Sequence, residues 1–480
     1  MYIINSKPVF SLKFLSENSI GLYVGALLFS NLIFFNHILD WKWWLFGLVE
    51  VIGFFYYSNE FIRKWTKLNE KRFLKKVFST ALIIRLSWLI FSYFFYISMT
   101  GSPFEFASAD AKGYHGEAAM VSSLLHEGNF HTYFDIKNNQ RGGAQISDMG
   151  YPLFLGFQYY LTDDSIVIAR IIKCILSAIS CLLLYKLAKR NFGENVARQT
   201  TIFCMMMPNL ILYTGTHMKE VEMVFLTIWF MERADFMLRN KNFNFIEIAP
   251  PIALIILMFF FRTVLGITAV FALFTAVILT PNKIIQAGKK TIIFIWLIGV
   301  VAFFIGGSIS SQIEELMVQS STNQQNSMNW RAGMVNGNKF AKYMTGAVFA
   351  PMIFVIPFPT VVGTPSQENQ QLINGGNYVK NILAFFLLIA VVYVFKEHKW
   401  REYLLIGTFV VAYLAILAKS AFAQSERFHQ PVVPFEIMMA CYGLSVITKK
   451  QKKYFNWWMV LIFVAIVGWS WFKLAGRGMS

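Results

Sequence analysis

The chain has 480 residues, 56% of them hydrophobic and only 14% charged, with a net charge of +17 and a mean hydropathy of +0.50. A soluble protein normally carries about 25% charged residues, and runs long enough to span a bilayer recur along this chain. A soluble enzyme and a β-barrel are both excluded, leaving an all-α polytopic membrane protein.

The N-terminal stretch MYIINSKPVFSLKFLSENSI lacks a cleavable signal pattern, so the first apolar segment is expected to stay as a span. In chain order, spans are expected near 20–38, 41–57, 77–99, 165–188, 199–215, 221–236, 246–261, 264–280, 291–308, 379–395, 402–418, 432–448 and 457–473, about 13 in all. The segment 345–363, AVFAPMIFVIPFPTVVG, is interrupted by Pro351, Pro357 and Pro359 and reads as re-entrant rather than spanning. The chain divides into an N-terminal hairpin with a basic loop (1–76), a core with a first long loop at 100–164 (77–308), further long loops with the re-entrant piece (309–378), and C-terminal helices (379–480). Cys174, Cys181, Cys204 and Cys441 all fall in apolar segments and imply neither a disulfide framework nor a zinc knuckle.

Alternate loops differ sharply in charge. One set holds 24 Lys and Arg in short connections, and the other holds 10 in considerably more residues. The positive-inside rule puts the basic set and the N-terminus in the cytoplasm and the long loops outside. This pattern accounts for the net charge, and no basic stripe with interleaved aromatics suggests nucleic acid.

The outer face gathers the chemistry. Loop 100–164 has eight acids and three Lys or Arg. Asp110 precedes a helix-like stretch, KGYHGEAAMVSSLLHEG, on which Tyr114, Glu117 and Val121 share a face and which Gly128 ends. Asp148 precedes GYPLFLGFQYYL, too short to span and suited to the interface. Lys219 and Glu220 sit at an external turn in YTGTHMKEVEMVFL, with Glu222 aimed to another side. Arg262 ends a span, and SERFHQPVVP places Arg427 and His429 in a short external loop. Arg bonds phosphate oxygens bidentately, so carboxylates plus arginines at membrane level suit a phosphate-bearing lipid substrate.

Plainer roles are available for several of these. Asp110 could cap its helix. Lys219 and Glu220 could form a structural pair. Arg262 could snorkel to headgroups, and His429 could be a hydrogen-bonded loop residue. Glu50 and Arg85, both inside spans, are expected to pair with each other. His115 with Asp110 and Glu117 is a candidate metal set on weak spacing, and Glu220 is a further candidate ligand.

The stretches SADAKGYHGEAA, DMGYPLFLGFQYYLTDDSIVIARIIKCIL, THMKEVEMVF and SERFHQPVVPFEIMMACYGL occur in this order on one side of the membrane. Together they resemble GT-C superfamily membrane glycosyltransferases, in the branch of protein mannosyltransferases and lipid A aminoarabinose transferases. The likeness runs over roughly 77–450. It implies a GT-C-like fold with external juxtamembrane helices, and a sugar donor linked to a polyprenyl phosphate such as undecaprenyl phosphate. The acceptor would be a glycan, lipid or protein. It casts Asp110 as general base in an inverting transfer, Glu220 as a second acidic residue near acceptor or metal, and Arg262 and Arg427 as stabilisers of the leaving phosphate. Lys219, His429, Tyr114, Asp148, Tyr151, Arg170 and Arg331 complete the candidate substrate-binding set. The chain departs from many relatives in two extra leading spans and in having no second acid directly after Asp110; a divalent-cation requirement stays open. A bacterial inner membrane with a periplasmic site is the expected location. Two alternatives remain: a polysaccharide polymerase or O-antigen ligase using a polyprenyl-diphosphate glycan, and a transporter or flippase. The latter should show charges near mid-membrane and pseudo-symmetric halves.

Overall fold

The computed structural model describes residues 10–140, 149–240, 245–279, 287–304, 352, 354–355, 357–365, 367–419, 425–475 and 479. Among them the chain is helical, with no strand. Helix α1 (Leu12–Ile33) and α2 (Trp41–Ile52) make the leading hairpin, and a π-helical turn at Gly53–Tyr57 carries α2 into α3 (Ser58–Trp65). Helix α4 (Glu70–Thr100) starts where the Asn69 side chain accepts from the Arg72 N–H at 2.9 Å. It stops at Gly101, whose φ of +74° suits glycine.

Three short helices follow at the far end of α4: α5 (Ala109–His126), α6 (His131–Gln140) and α7 (Gly150–Tyr160). Then come α8 (Ile166–Phe192), α9 (Glu194–Met206), α10 (Pro208–Leu212), α11 (Glu220–Arg239), α12 (Phe245–Phe261), α13 (Thr263–Leu279) and α14 (Ala287–Phe304). The C-terminal part holds α15 (Glu368–Gln371), α16 (Asn374–Lys396), α17 (Leu404–Lys419), α18 (Glu426–His429), α19 (Val433–Val446) and α20 (Lys449–Ala475).

Five of the described helical stretches are long and apolar enough to cross a membrane: Glu70–Thr100, Ile166–Phe192, Asn374–Lys396, Trp400–Ala418 and Lys449–Ala475. Ile246–Phe261, Thr263–Leu279, Lys290–Gly299 and Val433–Val446 are shorter apolar helices. The expected span 199–215 is not one helix. Met207 takes an extended conformation before Pro208, as a residue preceding proline tends to, and the chain restarts as α10.

That break sets the fate of one buried charge, Arg85. The expected Glu50–Arg85 pair does not form. Arg85, fully buried, donates from Nη1 to the carbonyl of Met205 at 3.2 Å, a group left without its helical donor by the break, and from Nε to Ser177 Oγ at 2.6 Å. Glu50 accepts from the N–H of Gly376 at 3.0 Å, in the first turn of α16, where helical N–H groups lack internal partners.

Close packing orders the bundle. Helix α16 lies along α19, α8 contacts α4, α9 and α11, and α5 rests on α7. At the α16–α19 crossing a Cβ on Gly443 would collide with the carbonyl of Phe386, so glycine is required there. Residues 357–363 of the proline-rich segment are non-helical. Asn381 of α16 donates to the carbonyls of Val355 and Pro357, Asn374 exchanges hydrogen bonds with Thr360, and Gly363 N–H donates to His37 at 2.9 Å. Side chains thus satisfy an irregular backbone running beside the first turns of α16. By connectivity the basic loop before α4 and the loop carrying Asp110 lie at opposite ends of the bundle. The basic end is tied by Lys189–Glu70 at 2.5 Å and Arg190–Asp235 at 2.6 Å.

Candidate active site

Three elements far apart in sequence meet at the other end. Asp110 lies in the first turn of α5, where unpaired N–H groups favour a carboxylate. It is not the cap: Ser108 holds that position, and Asp110 is the second helical residue. Glu220 is the first residue of α11 and is buried. Arg427 sits on α18, one turn wedged between α17 and α19. Its Nη1 donates to Asp110 Oδ2 at 2.6 Å and its Nε to Glu220 Oε1. Burial works against the Arg427 charge, but the Glu220 and Asp110 carboxylates prevail and hold its pKa above the ordinary value. Asp110 remains 55% exposed, whereas the second oxygen of Glu220 is buried without a hydrogen-bond partner among the described residues.

A second guanidinium shares an aromatic ring with the first. Arg262, between α12 and α13, lies 4.2 Å from the Phe428 ring centroid, and Arg427 lies 5.3 Å from the same ring. Arg262 Nη1 is buried with no hydrogen-bond partner among the described residues. A cation–π contact is worth about 0.5–2 kcal/mol and leaves the N–H donors unused. Lys219 Nζ donates to the Phe261 carbonyl at 3.0 Å and lies 5.6 Å from the Tyr114 ring, and Tyr114 meets Tyr151 edge-on at 5.0 Å. Thus Asp110, Glu220, Arg427, Lys219, Tyr114 and Arg262 lie together at this end of the bundle.

Of the other candidates, Tyr151 lies behind Tyr114, and His429 and Arg170 lie elsewhere. His429 is fully buried, with Lys380 Nζ 2.8 Å from its Nδ1, and Lys380 in turn pairs with Glu436 at 3.5 Å. It faces α16, not the Arg427 cluster. Arg170 is buried under the first loop and donates to the Pro103 carbonyl at 2.6 Å. Tyr151 is buried with its ring 5.0 Å from Lys173 Nζ. Asp148 and Arg331 lie outside the described residues.

Behind the carboxylates lies a polar layer of which sequence reasoning singled out only His115. His115 Nδ1 is 2.7 Å from the Tyr159 hydroxyl, which is 3.0 Å from His217 Nε2. The His217 backbone N–H donates to Glu105 at 3.3 Å. Burial lowers the pKa of both imidazoles and raises that of Glu105, so the histidines are neutral near pH 7. Lys173 pairs with Glu222 at 3.7 Å and donates to the Thr216 and Met218 carbonyls, fixing the turn before Glu220. A lone lysine in the apolar run of α8 was the available signal. Glu426, beside Arg427, accepts from Asn209 at 2.6 Å and Tyr213 at 2.7 Å. Burial nonetheless pushes its carboxyl up to about 7.

The proposed metal set does not assemble. His115 is engaged with Tyr159, Asp110 and Glu220 share a guanidinium, and no three His, Cys, Asp or Glu among the described residues come together as ligands.

Residues 149–305 match the family model for dolichyl-phosphate-mannose-protein mannosyltransferases, a GT-C superfamily family. That segment contains Lys219, Glu220 and Arg262 and leaves Asp110 and Arg427 outside it. No curated protein and no solved structure matches the chain. Over that segment the chain is similar to a family of GT-C type membrane glycosyltransferases, and its all-α polytopic architecture agrees with that type of enzyme.

Proposed function

We propose that the enzyme moves a sugar from a polyprenyl-phosphate-linked donor to an acceptor at the Asp110 end of the bundle, with inversion at the anomeric carbon. The basic loops at the opposite end support placing this end outside the cytoplasm, on the periplasmic side of a bacterial inner membrane. The observation that carries the reading is the position of Arg427, hydrogen-bonded to both Asp110 and Glu220, with the unused Nη1 of Arg262 on the same Phe428 ring.

Without donor, Arg427 neutralises the carboxylates. A donor phosphate docking at Arg262 and Arg427 competes for the Arg427 N–H groups and releases Asp110, the exposed member of the set. Asp110 then takes the proton of the acceptor hydroxyl or amine. The acceptor heteroatom forms a bond to the anomeric carbon as the bond from that carbon to the phosphate oxygen breaks. The electron pair leaves with the phosphate, whose charge the two guanidinium groups stabilise. Glu220, held through Nε, keeps Arg427 oriented.

The test uses purified protein in nanodiscs with a radiolabelled sugar on polyprenyl phosphate and a candidate acceptor extract. Transfer with inverted anomeric configuration is expected. Transfer from a soluble nucleotide sugar alone, or a product of retained configuration, would overturn the reading.

A further inference from the structure

The leading hairpin, which precedes the region resembling GT-C enzymes, does more than lengthen the bundle. Helices α2 and α4, bridged by Phe46 packing on Phe91 and Phe95, enclose over α10 a groove of about 620 Å³, walled by apolar residues including Leu45, Val49, Phe91 and Phe95. At the Asp110 end it meets a second cavity, of about 410 Å³ and different character, bounded by Asp40, Lys42, Trp43, Phe106, Glu368 and Gln371. Lys42 lines both. Trp41, 75% exposed, stands beside this junction, where tryptophan favours the membrane–water interface.

The polar cavity carries two carboxylates against one ammonium, and Lys42 is already paired with Asp40 at 3.2 Å. A phosphate headgroup would meet net negative charge there. Hydroxyl groups would instead find carboxylate and amide acceptors, beside the half-buried Phe106 ring. We infer that the groove and cavity together bind one lipid whose headgroup is uncharged and hydroxyl-bearing, with its chain between α2 and α4 and its headgroup on Asp40, Glu368 and Gln371. The site is separate from the donor-phosphate position at Arg262 and Arg427, yet Phe106 lies four residues from Asp110, about 14 Å of extended chain at most.

The experiment is lipid binding to the full-length protein in phosphatidylcholine nanodiscs, read by native mass spectrometry. The probe is a monoglucosyl diacylglycerol, and the competitor is phosphatidic acid with the same chains. Saturable binding of the glucosyl lipid is expected, at least about tenfold weaker in Val49→Trp, which fills the groove, and in Glu368→Gln, which weakens a charged acceptor. Val49 is 61% exposed and tolerates bulk without disturbing the core. Equal binding of phosphatidic acid by the unmodified protein would overturn the inference with no variant needed. Unchanged affinity in Val49→Trp would remove the groove from it, and unchanged affinity in Glu368→Gln would remove the headgroup assignment.

Discussion

Arg427 donates to Asp110 across 2.6 Å and 317 residues of sequence, joining the single turn α18 to the start of α5. The same guanidinium holds Glu220 at the start of α11. One side chain therefore governs two carboxylates of unequal exposure, and the difference separates their roles: the exposed one can exchange its partner, and the buried one cannot.

Asp110→Asn removes the proposed base while preserving shape. Turnover should fall by about 10²–10⁴-fold, the usual contribution of general-base help. Donor affinity should hold or rise, since Arg427 is then freer for phosphate. Transfer kinetics alongside donor titration check this, and near-normal turnover would remove the base role from Asp110.

Arg262→Ala and Arg262→Lys should both weaken donor binding by about tenfold or more. Lysine restores charge without the planar fork that bonds two phosphate oxygens. A lysine variant with wild-type affinity would show that charge alone suffices and that the Arg262 geometry on Phe428 is incidental.

Arg427→Ala should cost stability as well as activity. It leaves Glu220 buried and unpaired, a situation that costs about 3–5 kcal/mol. Adding Glu220→Gln should recover much of the lost Tm in detergent without recovering transfer. If the double variant is no more stable than Arg427→Ala, Glu220 is not the source of the cost.

Glu426 predicts a pH dependence. Its folded pKa, about 7, is raised above the ordinary 4.5. Between these values the folded state binds more protons than the unfolded state, so stability is greatest below about 4.5, falls as pH rises through 7, and then levels off. The fall should amount to about 3 kcal/mol at most. Thermal unfolding from pH 5 to 8 should show a steeper decline for wild type than for Glu426→Gln, and parallel curves would refute the assignment.

Much of the fold was legible locally. Hydropathy marked the helices, Gly128 and Gly101 lie where helices stop, and loop charge separated the two ends. The break at Met207–Pro208 was also readable in principle, because proline acts on its immediate neighbour, yet the apolar run across it suggested one span. The short, degenerate motifs around Asp110, Lys219–Glu220, Arg262 and Arg427 were picked out by residue type and common side.

Sequence by itself determined the class of molecule, the helical segments and which end carries the acidic and guanidinium groups, because hydropathy, charge and backbone preference act over a few residues. Only the tertiary structure decided the partners. Arg427 took Asp110 and Glu220, His429 turned away to Lys380, and Glu50 and Arg85 went separately to a helix start and a helix break. In a low-dielectric interior each charge must find whatever donor or acceptor the packing brings within about 3 Å, and that neighbour is set by how helices cross rather than by spacing along the chain.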